Sequence, residues 1–147
     1  GDEPAINPED IKILYNNMLK NDSDIGTLAA KIKEDKIFYN EDIVKVKTKT
    51  KLESNNFISA VNFSRNQFLK DDLNIYHHIG IYCYNVLTLK KVVNLNQTEN
   101  EIKNRLEQLR AVDNNIKIDV ALAKSSPIGI DTQEDYIALK KIMEYKS

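Results

Sequence analysis

Two hydrophobic periods alternate along this 147-residue chain, and their interleaving constrains the fold more than any other feature. Period-two runs rich in β-branched and aromatic residues read as strands: 27–32, 43–48, 57–63, 78–86 and 116–122. Residues 49–56, 64–75 and 94–98 are polar and read as loops. Helical stripes fall around these runs. Asn7 can cap a helix whose first position is Pro8, with Glu9 and Asp10 at its positive end. Ile11, Leu14, Tyr15 and Met18 share one face of it, and it should fade over 21–24. A second helix is predicted from Asn100 to Val112, with Ile102, Leu106 and Leu109 as its buried stripe. A third is predicted from Asp131 to about Tyr145, with Glu134 placed for a capping box and Tyr136, Leu139, Ile142 and Met143 inward. Strands interleaved with helices argue for an α/β fold with a mixed sheet, in which the run HIGIYCYNV is expected to be central. The length suits a single domain over 1–147, and no repeat or linker divides it.

Composition narrows the function classes. The net charge is −1, so no overall field favours nucleic acid or an anionic membrane. Only Arg65, Arg105 and Arg110 break a Lys-rich pattern, and Arg alone offers a planar bidentate fork. A single cysteine, Cys83, excludes an internal disulfide and a Cys-based zinc cluster; it reads as a small core residue. No apolar run approaches the ~18 residues that span a bilayer, and no signal peptide opens the chain, so a reducing cytoplasm is the expected compartment. With four glycines in total, the chain carries no glycine-rich phosphate loop.

Four stretches can carry chemistry. The opening GDEP is a turn of the kind that hangs on the end of a buried strand, and that strand is missing, so the chain reads as processed or as a piece of something longer. Its Asp2-Glu3 is either a solvated terminus or a ligand for a hard divalent cation such as Mg²⁺. In GIDTQED, Asp131 is either a helix cap or a carboxylate aimed into a cleft after a glycine turn; one ion held by Asp2 and Asp131 would tie the chain's two ends together. HHIGIYCY sets His78, Gly80, Tyr82 and Tyr84 on one strand face, as aromatic packing or as a polar stripe beside a hydroxyl-rich ligand. RLEQLR supplies Arg105, Glu107, Gln108 and Arg110, read on a helix as a solvated face or as sugar-binding groups. His77 and His78 face opposite sides of a strand and cannot share a ligand, and no Ser-His-Asp pattern is present.

GDEPAINPEDI, NFSR, HIGIYCY, LEQLRA and GIDTQEDYIAL, in this order, resemble the 3-deoxy-manno-octulosonate cytidylyltransferases, or CMP-Kdo synthetases, over nearly the whole chain. The resemblance implies a nucleotide-diphospho-sugar transferase fold, incomplete at the N-terminus, usually homodimeric. It implies transfer of CMP from CTP to Kdo, releasing pyrophosphate and giving CMP-Kdo for lipopolysaccharide. It implies Mg²⁺ on Asp2 and Asp131, and a sugar pocket of Arg65, His78, Tyr82, Glu107 and Gln108, with Arg65 and His78 nearest the chemistry. Arg65 would pair the Kdo carboxylate bidentately. The family's N-terminal strand and nucleotide loop precede GDEP and are absent here, so the resemblance is to the C-terminal portion, which a separately encoded N-terminal half would complete. The chain departs from the pattern at Asn66-Gln67-Phe68, where the family usually has a Pro-containing stretch, and at Asn104, where it usually has Glu. Two other readings stay open: a non-catalytic remnant keeping only packing and self-association surfaces, and a cytidylyltransferase for another sugar acid such as sialic acid, which HIGIY with LEQLR disfavours.

Overall fold

The structure, a computed structural model, describes residues 7–124. Helix α1 (Pro8–Asn21) begins where its capping residues require: Asn7 Oδ1 accepts from the Glu9 N–H at 2.9 Å, and Pro8 occupies the first turn. It stops at Asp22, whose left-handed backbone (φ 48°) returns its N–H to the Met18 carbonyl. Strand β1 (Ile25–Ala30) follows, then the short helix α2 (Asp35–Tyr39), β2 (Lys45–Thr48), β3 (Phe57–Ser64) and β4 (Ile75–Tyr84). Helices α3 (Val86–Val93), α4 (Glu99–Asn104) and α5 (Leu109–Asp113) lead to β5 (Ile118–Leu122).

The sheet is mixed, as the interleaved pattern requires. β1 runs parallel to β5 and antiparallel to β4, while β2 pairs antiparallel with both β3 and β4. The strands close into a ring in the order β1-β4-β2-β3-β5. Closure depends on two strands that change partners along their length. β3 pairs with β5 through Phe57–Ser59 and with β2 through Ala60–Ser64. β4 gives one edge to β1 and offers Ile75–His77 to β2. Register shifts at Thr27/Leu28 and Lys47/Thr48 add the bend that such closure needs.

Two buried clusters lie on opposite sides of β1. One joins Leu14 and Met18 of α1 to Leu28, Ile79, Ile81, Cys83 and Ala121. The other joins Ile25, Val46, Phe63, Tyr82 and Val120 to Leu106 and Leu109 beside α5. With helices or strands on both faces, every residue of β1 is buried. Gly26 is where α1 comes closest. A Cβ there would lie 2.6 Å from Met18 Sδ, 2.7 Å from Phe57 Cζ and 2.9 Å from Leu14 Cδ1.

Several expected boundaries change. β1 starts at Ile25 and ends at Ala30 because Lys31 turns out to solvent. β4 begins three residues earlier than expected, at Ile75, and ends at Tyr84 because Asn85 caps α3, accepting from the Leu87 and Thr88 N–H groups. Neither α2 nor α3 is among the helices predicted from the sequence pattern; α3 buries none of its residues fully and turns only Thr88, Leu89 and Val92 partly inward, a short stripe that follows directly on β4. The single helix expected over 100–112 is two short ones. Arg105 adopts left-handed backbone (φ 53°) and ends α4, so Ile102 points outward, 58% exposed, while Leu106 and Leu109 are buried. The GDEP turn with Asp2, Asp131 and the predicted helix over 131–145 lie outside the described residues.

Candidate functional site

The break at Arg105 builds the site. With α4 stopped there, the segment 105–108 crosses as a corner between two helices; Arg105 and Gln108 no longer share a helix, while Glu107 keeps its i, i+3 relation to Arg110, its carbonyl accepting the Arg110 N–H at 3.0 Å. The corner is braced from both sides. The buried Glu101 and the partly buried Arg110 form a bidentate pair, Arg110 Nε to Oε1 at 2.9 Å and Nη2 to Oε2 at 2.6 Å. The Arg110 hydrogen bonds hold the Glu101 carboxyl below its ordinary pKa, and Glu101 in turn raises Arg110. Glu101 also closes a capping box with Thr98 at the start of α4. From the other side, Arg65 Nη1 donates to the Asn104 carbonyl and Nη2 to the Arg105 carbonyl.

β4 faces this corner with a row of rings. Phe63 meets His78 edge to face at 5.0 Å, His78 lies 5.6 Å from Tyr82, and Tyr82 lies 6.0 Å from Tyr84. His78 is almost fully buried, and desolvation, with His77 adding a smaller push, drives its pKa down to about 3, so the ring is neutral. Burial raises the Tyr82 phenol well above 10, helped by Tyr84 and Glu107. Thr27 on β1 reaches across: its Oγ1 lies 3.0 Å from His78 Nε2, 2.7 Å from the Ile81 carbonyl and 3.2 Å from the Ile79 carbonyl.

Corner and row enclose a cavity of about 130 Å³ lined by Ile25, Tyr82, Tyr84, Val92, Glu107, Gln108, Ala111 and Ile118. The structure therefore brings together Tyr82, Glu107 and Gln108 and sets His78 behind Tyr82. Glu107 also lines a more open cavity of about 410 Å³ on the outer side of the corner, with Gln97, Arg105 and Arg110. Arg65 is placed differently. It lines a third cavity, about 380 Å³, with Phe38, Lys45 and Phe68, and its guanidinium braces the corner from there. The described residues contain no group of three or more His, Cys, Asp or Glu side chains placed to hold a metal ion. None of their helices is long and apolar enough to cross a membrane.

Three contributors were missed in the sequence. Glu101 was legible: Thr98-x-x-Glu101 is a capping-box spacing. Thr27 had a weaker signal, a lone hydroxyl inside an otherwise apolar buried strand. Lys45 had none. It is fully buried on β2, yet its Nζ donates to the Asn40 and Arg65 carbonyls, both at 2.6 Å, and so supports the residue that braces the corner.

The chain is similar to known proteins in sequence and fold. Residues 1–118 match the family model described as cytidylyltransferase. The 3-deoxy-manno-octulosonate cytidylyltransferase of Bartonella henselae is 39% identical over 143 residues, 97% of this chain and 58% of its own length. That of Thermodesulfovibrio yellowstonii is 41% identical, with the same coverage of each. A solved structure of CMP:2-keto-3-deoxy-manno-octonic acid synthetase complexed with CTP superposes with a TM-score of 0.75 at 25% identity, over 99% of this chain and 60% of that one. The chain thus spans under two-thirds of the length of these relatives, and the mixed α/β sheet is held in common with the solved enzyme. A family match over most of the chain and a shared fold lead to one conclusion: the chain belongs to the cytidylyltransferase family.

Proposed function

We propose that this chain forms the sugar-binding part of an enzyme that transfers CMP from CTP to Kdo, giving CMP-Kdo and pyrophosphate for lipopolysaccharide synthesis in the cytoplasm. The observation that carries the proposal is the convergence of Tyr82, Glu107 and Gln108 on one small cavity. A carboxylate, an amide and a phenol, backed by an apolar floor of Ile25 and Ile118, suit a polyhydroxylated ligand: they accept from and donate to hydroxyls while the floor excludes water. His78, packed against Tyr82, is the next group along the row and offers a ring nitrogen to the same ligand. Arg65 acts at the edge of the site, and its remaining N–H groups are suited to the sugar-acid carboxylate.

Asp2 and Asp131 are the residues that would hold Mg²⁺, which supplies charge neutralisation for the phosphates when bound. Residues near the two limits of the described region meet. Asp10 Oδ1 accepts from the Lys124 N–H at 2.7 Å, and Lys124 Nζ pairs with Glu9 at 3.0 Å. CTP is the co-substrate, the nucleotide loop is supplied by an N-terminal segment in the same or a separate chain, and the assembly is a homodimer.

The test is a chimera in which this chain replaces the corresponding portion of the Thermodesulfovibrio yellowstonii relative. Formation of CMP-Kdo from CTP and Kdo, read by phosphorus NMR, with N-acetylneuraminate a poor competitor, is the expected result. A folded chimera that binds CTP and makes no CMP-Kdo overturns the proposal and favours a non-catalytic remnant. Preference for N-acetylneuraminate reassigns the sugar.

A further inference from the structure

Thr27 is fully buried in the middle of β1 and is the residue at which β1 and β4 fall out of register. Thr27 pairs with Tyr82 and Leu28 with Ile79, which leaves Gly80 and Ile81 without partners on β1. The Thr27 hydroxyl occupies that bulge. It has one proton and three polar neighbours: the Ile81 carbonyl at 2.7 Å, the Ile79 carbonyl at 3.2 Å and His78 Nε2 at 3.0 Å. Carbonyl oxygens only accept, so the hydroxyl proton goes to them, the nearer being Ile81. The contact with His78 is then a hydrogen bond only if Nε2 carries the proton and donates to Oγ1.

We infer that Thr27 is a positioning residue that locks His78 in its Nε2–H tautomer, so that Nδ1 is an acceptor and the site takes a hydroxyl proton, not a lone pair, from its ligand at that atom. The ligand half of this inference rests on the sugar reading above; the tautomer half does not. Burial keeps the ring neutral, which is the state in which tautomer matters. Among the described residues the His78 ring hydrogen-bonds through Nε2 to Thr27, and Nδ1 makes no hydrogen bond to any of them. Phe63 and Tyr82 hold the ring on its other contacts, so it cannot turn to exchange its two nitrogens without disturbing both. A hydroxyl-rich sugar acid has the donor that this arrangement requires, and an ether or carbonyl oxygen at the same place would be rejected.

The experiment uses the 147-residue chain with ¹⁵N-labelled histidine. Long-range proton–nitrogen NMR at neutral pH should show the His78 proton on Nε2, and added Kdo should shift the Nδ1 resonance in the direction of an accepted hydrogen bond. Thr27→Ser keeps the hydroxyl and should keep both signatures. Thr27→Val keeps the shape and removes the hydroxyl; it should mix the tautomers and weaken Kdo binding roughly tenfold, the worth of one buried hydrogen bond. A proton on Nδ1 in the unsubstituted chain overturns the inference, and this readout stands even if Thr27→Val does not fold. An unchanged tautomer and unchanged Kdo affinity in folded Thr27→Val overturns it as well. The expected tautomer with no response to Kdo upholds Thr27 as the residue that sets it and overturns the sugar reading instead.

Discussion

Glu107 and Gln108 are adjacent in sequence, yet only a corner lets both line one cavity. On a regular helix neighbours diverge by about 100°; here left-handed Arg105 and the start of α5 at Leu109 leave the two residues between helical segments. Their roles are separable. Glu107→Gln keeps the shape and removes the charge, and is expected to weaken Kdo binding by roughly 10- to 100-fold, since a hydrogen bond to a charged acceptor contributes about 1.5–3 kcal/mol. CTP affinity of the chimera should stay unchanged, and calorimetric titration of both ligands checks it. Gly26 makes a point about packing at the same scale. Gly26→Ala puts a methyl within 3 Å of atoms from α1 and β3 at once, and overpacking of this kind costs about 1–3 kcal/mol. Urea unfolding should show the midpoint fall with the slope unchanged.

At the scale of elements, α4 and α5 are too short to be stable alone and depend on their bracing. The Glu101–Arg110 pair is bidentate and partly buried, so removing Arg110 leaves the buried Glu101 carboxylate short of its partner. Arg110→Ala is expected to cost about 1–3 kcal/mol. Arg110→Lys keeps the charge and loses the fork; it should destabilise less, while still raising the KM for Kdo in the chimera because the corner loosens. A thermal melt and a kinetic comparison of the two variants check this; equal effects of Lys and Ala on both readouts would count against a geometric role for the fork. Helix α3 is the opposite case. It is capped by Asn85 and packs on the core only through a narrow, partly buried stripe with Val92 at its centre, while Leu87 is 75% exposed.

For the molecule as a whole, the two histidines dominate the acid side. Burial lowers His77 to about 4, with the Lys45 ammonium adding to the shift, and lowers His78 to about 3. An unfolded histidine takes up its proton near pH 6.5. Between 6.5 and these depressed values the unfolded chain binds more protons than the folded one, so stability is full above pH 6.5 and falls as the pH drops. Each histidine contributes a slope of up to about 1.4 kcal/mol per pH unit. Urea unfolding at pH 7.5 and pH 5 should show the loss, and His77→Asn should flatten it relative to the unsubstituted chain. An identical pH slope in that variant would show that His77 is not buried neutral. Lys45 links this behaviour to the site, since its ammonium acts on His77 and its hydrogen bonds hold the Arg65 carbonyl.

The sequence by itself determined what depends on near neighbours. Asn7-Pro8 placed the first helix, period-two runs placed five strands, and His78 and Tyr82 were legible on one face because strand geometry repeats every second residue. The ordered motifs pointed to the family that the comparisons support. Only the tertiary structure decided the rest. A continuous apolar stripe over 102–109 satisfies a helix locally, but Arg65, just after β3, takes the carbonyls at 104 and 105 and Arg110 takes Glu101, so the helix divides. No local pattern reports bonds made across 39 or 40 residues of chain. The closed ring has the same origin: β3 and β4 change partners along their length, and which strand lies beside a given residue is a property of the whole fold.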